Sequence, residues 1–266
     1  MHVVKQYPDG VFCWVDLATT DPQAAKTFYG GLFGWDFEDL PTDMGAPYTM
    51  CTIDGKNVVG LSAMPPDMAE QGVPPIWASY VKHSDADAVA EKITAAGGTL
   101  ISPPFDVMDS GRMAFGQDPS GAAFGIWQPK SHIGAQLVNM PNTVVWNELQ
   151  TRDPEGAKTF YGKVFDWTYE SDPNGYILCQ ESGRTQAGII HMGENWPPDV
   201  PNNWTVYFMV ADLDASVAKA GKLGGNIMVP PTQAGEMGKF AVVQDPQGGV
   251  FTIMQFDGPV DTPPGV

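Results

Sequence analysis

The order of hydrophobic and polar positions predicts a chain of short strands and amphipathic helices. A strand-like run includes residues 15–17. After it, Ala25, Phe28, Tyr29 and Phe33 recur at helical spacing. The Asp21 side chain can cap the helix, Pro22 suits its first turn, and Gly34 is expected to end it. The pattern therefore predicts a strand followed by a helix.

The same kind of pattern continues through the first half of the chain. It predicts strands at residues 48–53 and 57–63, a strand at 77–82, a helix at 85–96, and strands at 113–117 and 123–128. Asp54-Gly55 and Asp118-Pro119 mark tight turns between paired strands. Five Pro-Pro pairs are predicted to lie in stiff loops between elements, at 65–66, 74–75, 103–104, 197–198 and 230–231. These elements follow the order β-α-β-β twice, which we interpret as two β-α-β-β-β modules.

The second half repeats the first. Residues 12–35 and 144–167 are identical at 13 of 24 positions, and residues 111–128 and 238–255 at 9 of 18. Corresponding strands are predicted at 145–149, 176–180, 186–191, 204–210, 240–244 and 250–255, with helices at 154–165 and 212–222. We therefore predict two tandem domains, residues 10–129 and 142–257, joined by the segment 129–142.

Composition and charge argue against several classes of function. Acidic residues outnumber basic ones by 31 to 14, for a net charge of −17, which disfavours nucleic-acid binding. No apolar stretch reaches the length of a membrane span, and the first ten residues do not resemble a signal peptide. Three cysteines without metal spacing are typical of reduced thiols. We expect a cytoplasmic protein that binds neither nucleic acid nor membrane.

The helix motif D-P-x-x-A-x-x-F-Y-x-x-(L/V)-F-x-W and the later D-P-x-G turn resemble the vicinal oxygen chelate superfamily, which includes glyoxalases, bleomycin resistance proteins and extradiol dioxygenases. The chain looks most like its two-domain actinobacterial glyoxalase-like or hydroxylase-like members. The resemblance implies an α+β fold of two tandem glyoxalase-like domains. Each domain would pair two βαβββ modules into an incomplete barrel around a pocket. In the metal enzymes of this superfamily, His or Glu ligands stand on the first and last strands of each module.

Register carries those ligand positions onto this chain. They fall at Trp14, Gly60, Ala78 and Gly125 in the first half, and at Trp146, Gly188, Thr205 and Thr252 in the second. Neither set contains a His, a carboxylate or a Cys, whereas a catalytic metal needs three such ligands. The histidines, His2, His83, His132 and His191, are unmatched between the halves. We expect no metal and no cofactor.

Strand alternation predicts what faces each pocket instead. The inward residues are Trp14, Asp16, Tyr80 and Trp127 in the first half, and Trp146, Glu148, Thr205, Tyr207 and Met254 in the second. Aromatic walls with one carboxylate suit a flat apolar or aromatic ligand. Asn147, on the opposite face of its strand, has no place in this pattern.

Structural roles compete with each of these assignments. The paired tryptophans are equally consistent with core packing, and Asp16 or Glu148 with a charge that reaches solvent or a cation such as Arg112. Phe28, Tyr29, Phe160 and Tyr161 lie at helical spacing and are expected in the core.

Three functions remain open. The leading hypothesis is a metal-free protein that binds, and sequesters or detoxifies, a small molecule, as in the drug-binding branch of the superfamily. The alternative is a glyoxalase-, hydroxylase- or dioxygenase-like enzyme. It would be metal-independent, with Asp16 or Glu148 as general acid or base, or would use a metal in another register. A structural protein with closed cores is the third. The chain carries four modules, so it is expected as a monomer or a homodimer.

Overall fold

The computed structural model describes residues 3–42, 45–258 and 260. His2 lies outside the described residues. The elements of the first half are β1 (Phe12–Thr19), α1 (Pro22–Phe33), β2 (Asp36–Leu40), β3 (Tyr48–Ile53), β4 (Lys56–Ala63), α2 (Pro66–Glu70), β5 (Ile76–Lys82), α3 (Ala86–Ala95), β6 (Thr99–Val107), β7 (Gly111–Gln117) and β8 (Ala123–Pro129). No helix among the described residues is long and apolar enough to cross a membrane.

Over its described residues, the second half follows the same order without a counterpart of α2. It contains β9 (Val144–Thr151), α4 (Pro154–Phe165), β10 (Thr168–Ser171), β11 (Ile177–Glu181), β12 (Arg184–His191), β13 (Asn203–Met209), α5 (Leu213–Lys222), β14 (Asn226–Gln233), β15 (Gly238–Gln244) and β16 (Val250–Phe256). The α+β class and the tandem arrangement predicted from the repeat are confirmed.

Each half forms one eight-stranded mixed sheet. The strand orders are β2-β3-β4-β1-β5-β8-β7-β6 and β10-β11-β12-β9-β13-β16-β15-β14. The first strand of each half lies centrally, antiparallel to β5 or β13 and parallel to β4 or β12. Neither sheet closes into a barrel, in agreement with the incomplete barrel that the resemblance implied.

The outer strands of each sheet escaped the pattern analysis. β2, β6, β10 and β14 lie at sheet edges, where one side of the strand needs no ladder partner. Two of the five Pro-Pro pairs, at 103–104 and 230–231, were predicted between elements but lie inside β6 and β14. Both pairs lie where the register shifts. Proline is tolerated there because an edge strand or a bulge can spare an N–H group.

The helices begin as the sequence predicts. Asp21 Oδ1 accepts from the N–H of Ala24, and Asp153 Oδ1 accepts from that of Gly156, so both capping aspartates satisfy otherwise unpaired donors. The C-terminal caps, Gly34 and Asp166, both adopt the left-handed conformation. The matched Gln128 and Gln255 accept from the first helical N–H of α3 and α5, which gives these amides a structural role.

The hydrophobic core is shared crosswise between the halves. One cluster joins α1 with residues of the second half that include Phe208 and Phe251. A second cluster joins α4 with residues of the first half that include Phe124 and Ile126. The four helix residues expected in the core, Phe28, Tyr29, Phe160 and Tyr161, are confirmed there with at most 2% exposure. Each half therefore completes the core of the other.

Two buried hydrogen bonds connect the halves reciprocally. Tyr29 Oη donates to Asp245 Oδ2 at 2.7 Å, and Tyr161 Oη donates to Asp118 Oδ2 at 3.2 Å. Both aspartates belong to the Asp-Pro turns that the repeat analysis identified. The two motifs that carry the superfamily resemblance, the helix and the turn, therefore contact each other across the molecule.

Candidate functional site

A chain of hydrogen bonds crosses the first sheet on the face that points away from its helices. Trp14 Nε1 donates to Tyr48 Oη at 2.8 Å, and Tyr48 Oη donates to Asp16 Oδ2 at 3.0 Å. Tyr80 Oη reaches the same carboxylate at 3.1 Å. Trp14 and Asp16 share this face because they are two residues apart on β1. One carboxylate is thus held by two phenols, one of which also accepts from an indole.

The second sheet carries the same arrangement. Trp146 Nε1 donates to Tyr176 Oη at 2.9 Å. Glu148 accepts from Tyr176 Oη and from Tyr207 Oη, both at 2.8 Å. Gln150 adds a long contact of 3.4 Å to Glu148 Oε1. Glu148 takes the place of Asp16, and its longer side chain keeps the same hydrogen bonds with two phenols. The arrangement is therefore common to both halves of the repeat.

A glycine makes room for the tyrosine in each network. A Cβ atom at Gly60 would overlap the Tyr48 hydroxyl, and a Cβ atom at Gly188 would overlap the Tyr176 hydroxyl. The space left at a position assigned to a metal ligand is therefore filled by a phenol of the same sheet.

The observed register corrects the predicted ligand layer. Gly60 and Ala78 both lie opposite Asp16, two residues beyond Trp14. In the second half, Gly188 and Thr205 both lie opposite Glu148. Gly125 and Thr252 pair with Tyr80 and Tyr207, one layer away. The four positions of each half therefore do not share one layer, and two of them lie beside a carboxylate.

The two carboxyl groups are weaker acids than usual. Burial raises the pKa of Asp16 to about 6, although the hydrogen bonds from Tyr48 and Tyr80 act in the opposite direction. Burial likewise raises the pKa of Glu148, which is only 6% exposed. Burial also raises the pKa of Tyr80 and Tyr207 well above the usual range, so these phenols remain donors.

These donors do not fit the metal that the superfamily resemblance implies. Nowhere among the described residues do three His, Cys, Asp or Glu side chains come together as a possible metal site. Around Asp16 the neighbouring polar atoms are phenol hydroxyls, and burial favours the protonated carboxyl. Phenols and one carboxyl do not supply the three ligands of a catalytic centre.

The linker and the N-terminal segment cover this face of the first sheet. Val4, Tyr7 and Ala135 pack in one cluster with Trp14 and Trp127. Tyr7 Oη donates to the carbonyl of Ala135 at 2.7 Å. Trp127 Nε1 donates to the carbonyl of His132 at 2.8 Å, and Trp14 is only 5% exposed. The chain itself therefore occupies the space beside the first pair of tryptophans.

The corresponding face of the second sheet borders a cavity of about 360 Å³. Trp146, Arg184 and Phe256 come from its strands, and Glu236 and Met237 from the turn between β14 and β15. The other side is formed by Tyr7, Val138 and Asn139, which belong to the N-terminal segment and the linker. Trp146 is half-buried, whereas its counterpart Trp14 is buried. The cavity is larger than the pocket of about 20 Å³ that Cys13, Trp14 and Ala135 line in the first half.

The predicted site residues lie on the expected sheet faces, but few of them border the cavity. Trp14, Asp16, Tyr80 and Trp127 lie on one face of the first sheet, and Trp146, Glu148, Thr205, Tyr207 and Met254 lie on one face of the second. Of these nine, Trp146 lines the 360 Å³ cavity. Arg112, considered as a partner for the carboxylate, instead bonds Asp87 and Asp106.

Sequence reasoning missed Tyr48 and Tyr176, which connect indole to carboxylate. Both begin a predicted strand at matched places in the repeat, and the hydroxyl of each lies over a glycine of the next strand, Gly60 or Gly188. That pairing was the available signal. Asn147, unexplained by the pattern, accepts from Ser79 Oγ at 2.7 Å inside the shared core. Its amide therefore serves the contact between the sheets.

Comparison with known sequences identifies relatives over nearly the whole chain. The sequence model of the glyoxalase/bleomycin resistance protein/dioxygenase superfamily matches residues 12–126, and that of a glyoxalase-like domain matches residues 144–254. The Mycobacterium tuberculosis protein named "Putative glyoxylase CFP32" is 44% identical over 94% of this chain and 97% of its own. The anthracycline biosynthesis protein DnrV of Streptomyces peucetius is 32% identical over 95% of each chain.

Solved structures share the fold at low sequence identity. The Mn(II)-bound glyoxalase from Novosphingobium aromaticivorans superposes with a TM-score of 0.62 at 17% identity, covering 98% of this chain and 85% of that one. An extradiol ring-cleaving dioxygenase from B. fuscum gives 0.65 at 15% identity, covering 97% and 75%. These likenesses establish the architecture alone.

Proposed function

The chain belongs to the glyoxalase/bleomycin resistance protein/dioxygenase superfamily, and from that membership we propose that it is a metal-free protein that binds a flat apolar or aromatic small molecule. The observation that carries the proposal is the cavity beside Trp146. Its volume of about 360 Å³ lies within the usual range for small-molecule sites. Sequestration or detoxification of the ligand is the role we assign to it.

The walls of the cavity support this ligand class. Val144, Trp146 and Phe256 offer apolar and aromatic surface, while Asn139 and Arg184 place polar groups at the boundary. An indole face binds planar rings by stacking or edge-to-face contact. The name of the relative DnrV, which concerns anthracycline biosynthesis, is a further reason to include an anthracycline among the probes.

The test is a titration of aromatic compounds against the full chain, followed by calorimetry and tryptophan fluorescence. We expect saturable binding for a subset of planar compounds and at least a tenfold weaker affinity in Trp146→Leu, because the indole wall is lost. Trp196→Phe, in the loop between β12 and β13, is the matched control and should bind as the unaltered chain does. Absence of saturable binding across a broad library contradicts the proposal.

A metal-independent enzyme is the second candidate, and the raised pKa of Asp16 favours it. A carboxyl group with a pKa of about 6 exchanges protons readily near neutral pH, as a general acid or base must. Elemental analysis of protein purified without chelators separates this candidate and the binding protein from a metalloenzyme. One tightly held transition metal per half contradicts both, whereas turnover of a bound compound that is lost in Asp16→Asn or in Glu148→Gln supports the enzyme.

A further inference from the structure

Three matched positions of the repeat contact the linker in the first half and line the cavity in the second. In the first half the main chain of the linker is hydrogen-bonded to two strands and to the turn between β6 and β7. The N–H groups of His132, Ala135 and Gln136 donate to the carbonyls of Ser110, Cys13 and Asn57 at 3.0, 2.8 and 2.7 Å. The counterparts of those three acceptors in the repeat are Met237, Val145 and Thr185, and all three line the cavity of the second half. The linker therefore fills the place that is a cavity in the second half.

The side chain at the centre of this contact is an imidazole. The ring of His132 stands edge-to-face on Trp14, with centroids 4.5 Å apart and an interplanar angle of 84°. The same ring lies 5.6 Å from Trp127 at 68°. Its Nε2 atom is buried without a hydrogen-bond partner among the described residues. The imidazole of His132 is therefore held mainly by its contacts with the two indole rings.

We propose that His132 is an intramolecular ligand of the first half, and that the second half takes a free, neutral, planar heteroaromatic molecule in the matching place beside Trp146. This rests on the proposed binding function and specifies its ligand class and stoichiometry. One chain then binds one molecule, although the repeat contains two related faces.

The chemistry of the two places supports a neutral ring. Burial lowers the pKa of His132 to about 4, so its imidazole is uncharged near neutral pH. Trp146 matches Trp14 in the repeat, and its indole N–H is likewise bonded to a tyrosine, so the ring surface stays available for a partner. An edge-to-face contact with an indole rewards a planar ring and not a saturated one.

The first experiment follows the indole N–H resonances of the full chain during titration with benzimidazole. Single Trp→Phe variants at positions 14, 127 and 146 assign the three signals. We expect the Trp146 signal to shift saturably at one equivalent, with no shift at Trp14 or Trp127. Cyclohexanol, a saturated six-membered ring, should leave all three unchanged.

The second experiment tests the intramolecular ligand without reference to the second half. In His132→Gly, imidazole should bind beside Trp14 and Trp127 and restore their unaltered resonances. In His132→Phe the larger ring keeps the place filled, so imidazole should have no effect there. If His132→Gly does not fold, hydrogen exchange of the unaltered chain decides: the seated linker predicts slow exchange at the Ala135 and Gln136 N–H groups, and fast exchange contradicts it.

The outcomes separate the two proposals. Shifts at Trp14 and Trp127 in the unaltered chain overturn the closed first face but leave the binding function standing. Binding of other planar compounds at Trp146, with no response to benzimidazole, overturns the heteroaromatic class alone. If no compound of the library binds, the proposed function and the ligand class both fail, and the imidazole experiment still decides whether His132 fills the first site.

Discussion

At the scale of single residues, the molecule keeps two carboxyl groups in surroundings that disfavour their charge. Asp16 and Glu148 are each held by two phenol hydroxyls, and burial outweighs those hydrogen bonds in setting the pKa. The strand alternation that placed these carboxylates on the same face as Trp14 and Trp146 was readable from the sequence. The hydrogen bonds of the phenols were not, because Tyr48 on β3 and Tyr176 just before β11 reach the carboxylate across the intervening strands β4 and β12, and the order of strands is a long-range property.

Replacement of Asp16 by Asn tests the cost of that burial. The ordinary pKa is 3.8 and the folded value is about 6, so the folded state binds more protons than the unfolded state between these limits. Stability is therefore greatest below about pH 3.8 and falls as the pH rises to 6. Relative to Asp16→Asn, the unaltered chain should lose at most about 3 kcal/mol over this window. Urea unfolding at several pH values measures the difference. The exposed Asp36→Asn is the control, and an Asp16→Asn difference that does not vary with pH contradicts the argument.

At the scale of elements, the central strands and long helices followed from their patterns, while the edge strands did not. β1, α1 and their counterparts combine strong periodicity with capping residues, so local sequence determines them. β6 and β14 contain Pro-Pro pairs that argue against a strand locally. Pairing with β7 and β15 overrides that preference. The predicted ligand layer failed for a related reason, since register is set by the pairing of β1 with β4 and β5 rather than by distance from the helix.

The glycine on β12 offers a test at this scale. In Gly188→Ala the new methyl group overlaps the Tyr176 hydroxyl, so the tyrosine must leave Glu148 or the strands must separate. We expect a loss of about 1–3 kcal/mol in the free energy of unfolding, typical of overpacking. The Tyr176 contribution to near-ultraviolet circular dichroism should change with it. Gly221→Ala, in α5 with no atom within 4 Å of the new methyl, should not be destabilising. Equal stability of Gly188→Ala and the unaltered chain contradicts the close approach.

At the scale of the whole molecule, the repeat does not mean two independent domains. The boundaries predicted from the sequence enclose one sheet each, but α1 packs against side chains of the second half and α4 against those of the first. The sequence indicated duplication because matched residues are visible in one dimension. It could not indicate the crosswise packing, because the contacts of Tyr29 with Asp245 and of Tyr161 with Asp118 join residues 216 and 43 positions apart.

Separation of the halves tests this shared core. A fragment of residues 1–141 loses Phe208, Phe251 and their neighbours from the cluster around α1, and exposes apolar surface that a soluble fold must bury. We expect either fragment alone to lack a cooperative unfolding transition, and the two fragments, produced together, to associate into a one-to-one complex with the circular dichroism of the intact chain.

Tyr29→Phe in that complex should weaken association by roughly tenfold, because Asp245 loses a buried donor worth about 1–3 kcal/mol. Thr27→Ala, on an exposed turn of the same helix, is the control. A monomeric 1–141 fragment that unfolds cooperatively by itself contradicts the shared core, and it would make each half a domain in the thermodynamic as well as the topological sense.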